Sequence, residues 1–212
     1  MTKTPTSTTG QGRTYGGQSS GERQAERRER LIRAAVATYG EQGYRHTTVS
    51  DVCRTAGLTP RYFYESFANS EALLIAAYEA VTRIALETLQ AAASELDEAE
   101  PEARLQAMLS AYYALLREKP AAARVFVTEM SGISAAVDAA FDQGLAKFAR
   151  LLARTLDPEW RDTDAPTLRE TGAMHGLLAI ARSWIASGCK EPIADLVPIA
   201  MPFCRLLLPK DA

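Results

Sequence analysis

Residues 47–67 read TTVSDVCRTAGLTPRYFYESF, two short helical patterns parted by Gly57 and Leu58. Thr48 precedes Asp51 by three residues, the spacing at which a hydroxyl cap and a carboxylate satisfy each other's backbone N–H groups. Val49, Val52, Cys53 and Ala56 recur at helical spacing and give this first pattern one apolar side. Gly57 is placed to end it, since the residue after a helix often needs a positive φ. Thr59-Pro60 opens the second pattern: the hydroxyl is expected to accept a free N–H, and proline at the first helical position removes a donor that would be orphaned anyway. Phe63 and Phe67 then pack the second helix against the first, leaving Arg61, Tyr62, Glu65 and Ser66 outward. Two short helices joined by a tight glycine turn predict a helix-turn-helix, whose second helix lies in the DNA major groove.

The charge distribution suits a phosphate-binding face at this end of the chain. Up to Ser70, ten Lys/Arg stand against six Asp/Glu; beyond it, fourteen stand against twenty. Apolar residues make up 47% of the 212, enough for a folded core. No apolar run reaches the ~18–20 residues of a membrane span. The start of the chain lacks the apolar core of a signal peptide, so the expected compartment is the cytoplasm, without membrane association. Cys53, Cys189 and Cys204 are scattered and odd in number, and with only His46 and His175 they make a poor metal set. They read as small buried hydrophobes.

Ahead of the helix-turn-helix, residues 1–21 are rich in Thr, Ser, Gly and Gln, with Lys3 and Arg13 as charges, and read as a disordered tail. Inert disorder is the first reading of it; a basic arm of this kind that enters the minor groove is the second. Glu22 to Gln42 reads as a helix with Leu31, Ile32, Ala35, Val36 and Tyr39 on its apolar side and Gly43 as its stop. Arg23, Arg27, Arg28 and Arg30 alternate with glutamates there, the pattern of a solvated face. After Phe67, Asn69 or Ser70 caps a long helix to about Ser94, whose apolar side carries Leu73, Leu74, Ala77, Val81, Ile84 and Leu89. An acidic break at 97–102 precedes a helix to Glu118, a short apolar stretch from Ala121 to Glu129, and a helix from about Ser134 to Leu156. A polar stretch from Asp157 to Pro166 leads to two last helices, Thr167 to Ser187 and Glu191 to Leu208, with Pro198 and Pro202 inside the latter. Strand-like alternation is missing. The chain is predicted all-α, with about nine helices.

Residues 34–73, AAVATYGEQGYRHTTVSDVCRTAGLTPRYFYESFANSEAL, resemble the DNA-binding domain of the TetR family of transcriptional regulators. The resemblance lies in a helix, G-Y, T-T-V, A-G-L-T, F-Y, and S-F followed by E-A-L, all in register. It implies a three-helix DNA-binding domain over 22–68 and a helical effector and dimerisation domain over 69–212. It also implies a homodimer on a pseudo-palindromic operator in double-stranded DNA, most often as a repressor released by a small-molecule effector. The family's recognition helix matches Thr59 to Phe67, and its phosphate contacts fall on Thr48 and Tyr64. Where the family usually has lysine, at the start of the fourth helix, this chain has Ser70; where it has Tyr or His before the terminal Phe, this chain has Ser66.

On the residues themselves, Arg61 is the candidate for a bidentate guanine contact, with Tyr62 beside it. Thr48, Thr59 and Tyr64 position the backbone, and Pro60 shapes the start of the helix. Leu168, Leu178, Trp184, Ile193, Val197, Phe203 and Leu207 offer apolar surface for dimerisation. Tyr112, Tyr113, Phe126, Met130, Phe148 and Trp184, set among alanines, are candidates for an effector pocket, with Glu129 and His175 as its polar groups. Such a lining predicts a mostly apolar effector. Two other readings stand beside this one: an effector-independent DNA-binding regulator, and a small all-α enzyme. Against the enzyme, there is no HxxxH or ExxH metal spacing, P-loop, GxGxxG or nucleophile–base pair, and neither cofactor nor metal is expected.

Overall fold

Apolar residues recurring every three or four positions resolve, in a computed structural model, into nine α-helices among the described residues, 20–96, 99–161 and 166–208. No strand occurs among these residues. Helix α1 (Ser20–Gln42) buries Leu31, Ile32, Ala34, Ala35 and Tyr39, and a single 3-10 turn (Tyr44–His46) leads on to α2 (Val49–Ala56) and α3 (Pro60–Ser66). α4 (Ser70–Ser94) is capped by Asn69, whose side chain accepts from Ala72 N at 2.8 Å. α5 (Pro101–Glu118), α6 (Pro120–Val127), α7 (Ala135–Leu156), α8 (Leu168–Ala186) and α9 (Ile193–Arg205) complete the chain.

α1 packs on α2, α3, α4 and α6, while α4 also packs on α5, α6 and α7. α4 is therefore shared between the N-terminal three helices and the bundle behind them. The buried side chains, from Leu31 to Leu207, form one connected core. Cys53 and Cys204 lie in it and Cys189 is half-buried, all three as free thiols. Burial pushes the Cys204 thiol up to about 12, in keeping with a small apolar role.

Several local expectations need correction. Thr59 caps α3 through its backbone alone and makes no side-chain bond to the helix; Tyr62 N donates to its carbonyl at 3.0 Å. Ile84 is 47% exposed, because α4 at that turn faces a groove rather than the core. α9 stops short of Glu191–Leu208 at both ends yet runs through Pro198 and Pro202. Both prolines and Ala194 lie on its exposed side, so water can reach the carbonyls they leave unpaired. The tail expected over residues 1–21 lies outside the described residues up to residue 19, with Lys3 and Arg13 in it; residues 20 and 21 already belong to α1. Part of the acidic break (97–98) and part of the polar stretch (162–165) are likewise outside them. No described helix is long and apolar enough to cross a membrane.

Candidate DNA interface and effector cavity

The capping box at the start of α2 is closed on both sides. Asp51 N donates to Thr48 Oγ1 at 3.2 Å, and Asp51 Oδ2 accepts from Thr48 N at 3.0 Å and from Thr48 Oγ1 at 2.6 Å. Those bonds from Thr48, together with one from Arg54, hold the Asp51 carboxyl below the usual carboxylate range. At the far end Gly57 takes φ 62, the left-handed turn that a glycine adopts without a Cβ penalty, and α3 begins at Pro60. Phe63 and Phe67 are buried beneath α3. Tyr64 stands out at 66% exposure, with its ring edge against Phe63. Arg61 is also exposed, its Nε donating to Glu65 Oε1 at 2.9 Å.

The other candidates are more committed than the sequence suggested. Ser66 Oγ donates to Tyr62 O at 2.9 Å, within its own helix. Ser70 Oγ lies 3.1 Å from the Tyr44 hydroxyl, tying the start of α4 to the turn before α2. Tyr62 is half-buried because the Arg27 guanidinium sits 4.5 Å above its ring.

That contact belongs to a set that sequence reasoning missed. Arg30 Nη2 donates to Ala56 O at 2.7 Å and to Gly57 O at 3.3 Å, so α1 supplies the cap for the carbonyl end of α2. Arg28 covers Phe67 at 4.9 Å, and Gln24 reaches Glu65 O at 3.4 Å. The arginines at the head of α1 are thus a clamp on the helix-turn-helix at three positions, where glutamate alternation had suggested a solvated face. Arg27 and Arg30, three residues apart, share one side of α1; that spacing was the available signal.

Within the bundle, Tyr112, Tyr113, Phe126 and Phe148 line a narrow cavity of about 30 Å³ with Leu89, Leu109, Leu145, Leu152, Met174, Leu177 and Leu178. The leucines on α7 and α8 recur at helical spacing but read equally as core, so sequence alone did not single them out. Burial raises the Tyr112 and Tyr113 phenols above their ordinary value, and the Tyr113 hydroxyl has no hydrogen-bond partner among the described residues. The other four pocket candidates stand elsewhere. Trp184 backs Tyr113 edge-on at 5.5 Å and donates to Glu191 O at 3.0 Å; Met130 is buried outside the lining. His175 is exposed in a shallow groove between α7 and α8, its Nδ1 2.9 Å from Thr171 O. Glu129 lies at the junction with α1, where its carboxylate is needed for other bonds.

Comparison with known proteins agrees with this arrangement. The family model described as bacterial regulatory proteins, tetR family, matches residues 31–77, the span from the core of α1 through α2 and α3 into α4. Residues 31–77 thus match the tetR family's characteristic region. It is similar to the HTH-type transcriptional regulator TcmR of Streptomyces glaucescens, 30% identical over 129 residues, 61% of this chain and 52% of the relative. The match therefore spans about half the length of that relative. In fold it is similar to the fatty acid degradation regulator FadR of Bacillus halodurans, with a TM-score of 0.66 and 21% identity over 87% of this chain and 95% of that one. It is also similar to FadR of Bacillus subtilis in complex with stearoyl-CoA, with a TM-score of 0.65 and 20% identity over 84% and 96% of the two chains.

The bundle is joined to the helix-turn-helix side through α6. Gly40 of α1 packs so tightly on Ala121 of α6 that an added Cβ would lie 2.4 Å from the Ala121 Cα. Glu129 Oε2 accepts from Tyr44 N at 2.7 Å while Glu129 Oε1 accepts from Arg124 Nε at 2.9 Å. Arg124 Nη1 also donates to Glu41 O at 3.2 Å. Arg45 Nη2 donates to Gly132 O at 2.8 Å, and Ser134 Oγ to Glu71 Oε2 at 2.8 Å. From the other side, Arg182 of α8 donates to Val127 O and, at 3.2 Å, to Ser131 Oγ. The α6–α7 connection is therefore held at once by the helix-turn-helix side and by the bundle.

Proposed function

We propose that this protein is a homodimeric repressor of the tetR family that reads a pseudo-palindromic operator with α3 and releases it when a mostly apolar effector enlarges the bundle cavity. One observation carries the coupling. Phe126 lines the cavity from the last turn of α6, three residues before the Glu129 that holds Tyr44 N. The cavity holds no more than one or two waters as it stands. A ligand must therefore displace its wall, and displacing Phe126 moves the helix on which α1 rests. Such a ligand shifts the population only as far as it prefers the enlarged conformer. The stearoyl-CoA bound by the B. subtilis FadR supports an apolar effector by analogy of fold. The narrowness of the cavity favours a second reading, a regulator without an effector.

At the DNA, exposed Arg61 reads a base while Thr48, at the N-terminus of α2, and Tyr64 position phosphates. Tyr64→Phe is expected to weaken operator and unrelated DNA by a similar factor, since a phosphate contact carries no base information. A loss confined to the operator in a gel-shift titration against both DNAs would reverse that role.

A single α3 reads few bases, so two copies must sit about 34–36 Å apart or a multiple of it. Ile199 projects from α9 at 55% exposure, Leu206 from just beyond it at 44%, and Leu168 from the start of α8 at 92%. Leu178, Trp184, Val197 and Leu207 are taken up by the subunit's own core. The outer face of α8 and α9 is accordingly assigned to the dimer contact. Light scattering at micromolar concentration is expected to give twice the 23.1 kDa chain mass; a monomer removes this architecture. Operator DNA selected from a random library, followed by a thermal-shift screen, tests the whole reading. Compounds that raise the melting temperature should weaken operator binding in parallel; absence of any such compound favours the effector-independent regulator.

A further inference from the structure

Beside α1 a larger space opens that neither the DNA interface nor the cavity uses. It is a groove of about 370 Å³ between α1, α4 and the α5–α6 junction, walled by Ile32, Val36, Val81, Ile84, Leu115 and Phe126. The charged residues along it are Arg33, Arg83, Lys119 and Glu29, at its exposed rim. Arg83 is paired with Glu87 at 3.3 Å, whereas Arg33 and Lys119 make no ion pair among the described residues. Phe126 is the lining residue that groove and cavity share. Its ring stacks on Tyr78 at 5.8 Å and meets Phe148 edge-on at 5.3 Å, so one aromatic side chain partitions the two spaces.

We propose that groove and cavity are two parts of one site for an amphipathic anion. The apolar chain runs along the groove and past Phe126 into the cavity, and the anionic head stays at the rim between Arg33 and Lys119. This rests on the effector reading above and gives the ligand its chemical class. The walls supply apolar burial in proportion to chain length. The two unpaired cations supply charge-assisted hydrogen bonds that an uncharged ligand forgoes. A neutral aromatic compound would use the cavity alone and be indifferent to the rim. A sugar or a bare phosphate would leave the apolar walls without a partner. The same chemistry belongs to a free long-chain carboxylate and to an acyl thioester of a phosphate-bearing carrier, which differ only in the head.

Calorimetric titration of the 212-residue protein with decanoate, decanoyl-CoA and 1-decanol tests the assignment, in wild type and in Arg33→Ala/Lys119→Ala. Both substitutions are at the groove rim, and an unchanged melting temperature verifies the fold. Wild type is expected to bind at least one anion more tightly than the alcohol. The double substitution is expected to weaken that anion about tenfold or more, while the alcohol stays within about twofold. The anion with the larger loss identifies the head. Equal losses for anion and alcohol, or no loss for either, overturn the site; so does binding of none of the three by protein that still binds operator. The effector reading fails separately. Rim-dependent binding with unchanged operator affinity supports the site and removes its regulatory role. A neutral aromatic that releases operator in a variant lacking both rim cations, with no anion binding in wild type, keeps the effector and overturns the groove.

Discussion

Gly40→Ala is expected to destabilise the protein by about 1–3 kcal/mol, the range for overpacking a filled site. An added Cβ would lie 2.4 Å from the Ala121 Cα and 2.5 Å from its carbonyl oxygen. Both are backbone atoms, so no side chain can swing aside, and α1 must part from α6. The opposing effect is helix propensity, which favours alanine over glycine by about 1 kcal/mol at most. The steric cost exceeds it. Urea unfolding should show a lower midpoint with an unchanged slope. On the proposed coupling, the variant is also expected to respond less to an effector, because α6 no longer bears on α1. A neutral or stabilising result would mean that the two helices do not meet at this distance.

Arg61→Ala is expected to cost about 1–3 kcal/mol on the selected operator and to relax the preference at one base position. In the free protein the guanidinium is paired with Glu65, but an exposed i,i+4 pair is weak because water screens it. A bidentate guanine contact is worth more, so Arg61 is expected to leave Glu65 on binding. Glu65→Ala should accordingly tighten operator binding slightly rather than weaken it. Equilibrium titrations on the operator and on single-base variants measure both effects. An Arg61→Ala protein with wild-type affinity and specificity would move base reading to another residue.

Local chemistry made the helix-turn-helix legible in the sequence. Thr48 with Asp51, Gly57, and Pro60 each satisfy a backbone requirement set by near neighbours, and the structure meets each requirement at that residue. Thr59 failed as a hydroxyl cap because its backbone carbonyl alone serves the turn. What sequence could not supply was contact across the fold. Arg30 reaches a carbonyl 26 residues away and Glu129 an amide 85 residues away, and no periodicity encodes either pairing. Glu129 and His175 were assigned to a pocket because polar residues among apolar ones suggest a ligand contact. One instead serves an interhelical junction and the other faces solvent. The cavity's aromatic half was readable, since Tyr112, Tyr113, Phe126 and Phe148 stand out by size. Its leucine half was not, because a leucine facing a cavity and one facing another leucine look alike.

The clamp at one end of α1 and the tight seat at the other make that helix a lever. From Arg27, over Tyr62, to Gly40, on Ala121, it spans roughly 20 Å at 1.5 Å per residue. With Gly40 as fulcrum, a tilt of about 5° swings the Arg27 end by roughly 2 Å over that length, and the helix-turn-helix travels with it because Arg27 and Arg28 hold α3 at Tyr62 and Phe67 while Arg30 holds the end of α2. In the proposed dimer, two such levers related by a twofold axis would add their displacements, changing the separation of the reading heads by up to about 4 Å against a fixed groove repeat of about 34–36 Å. A hydrogen bond to a base edge tolerates only a few tenths of an ångström. On the proposed mechanism, a wall movement too small to unfold anything would be magnified into loss of register with the DNA.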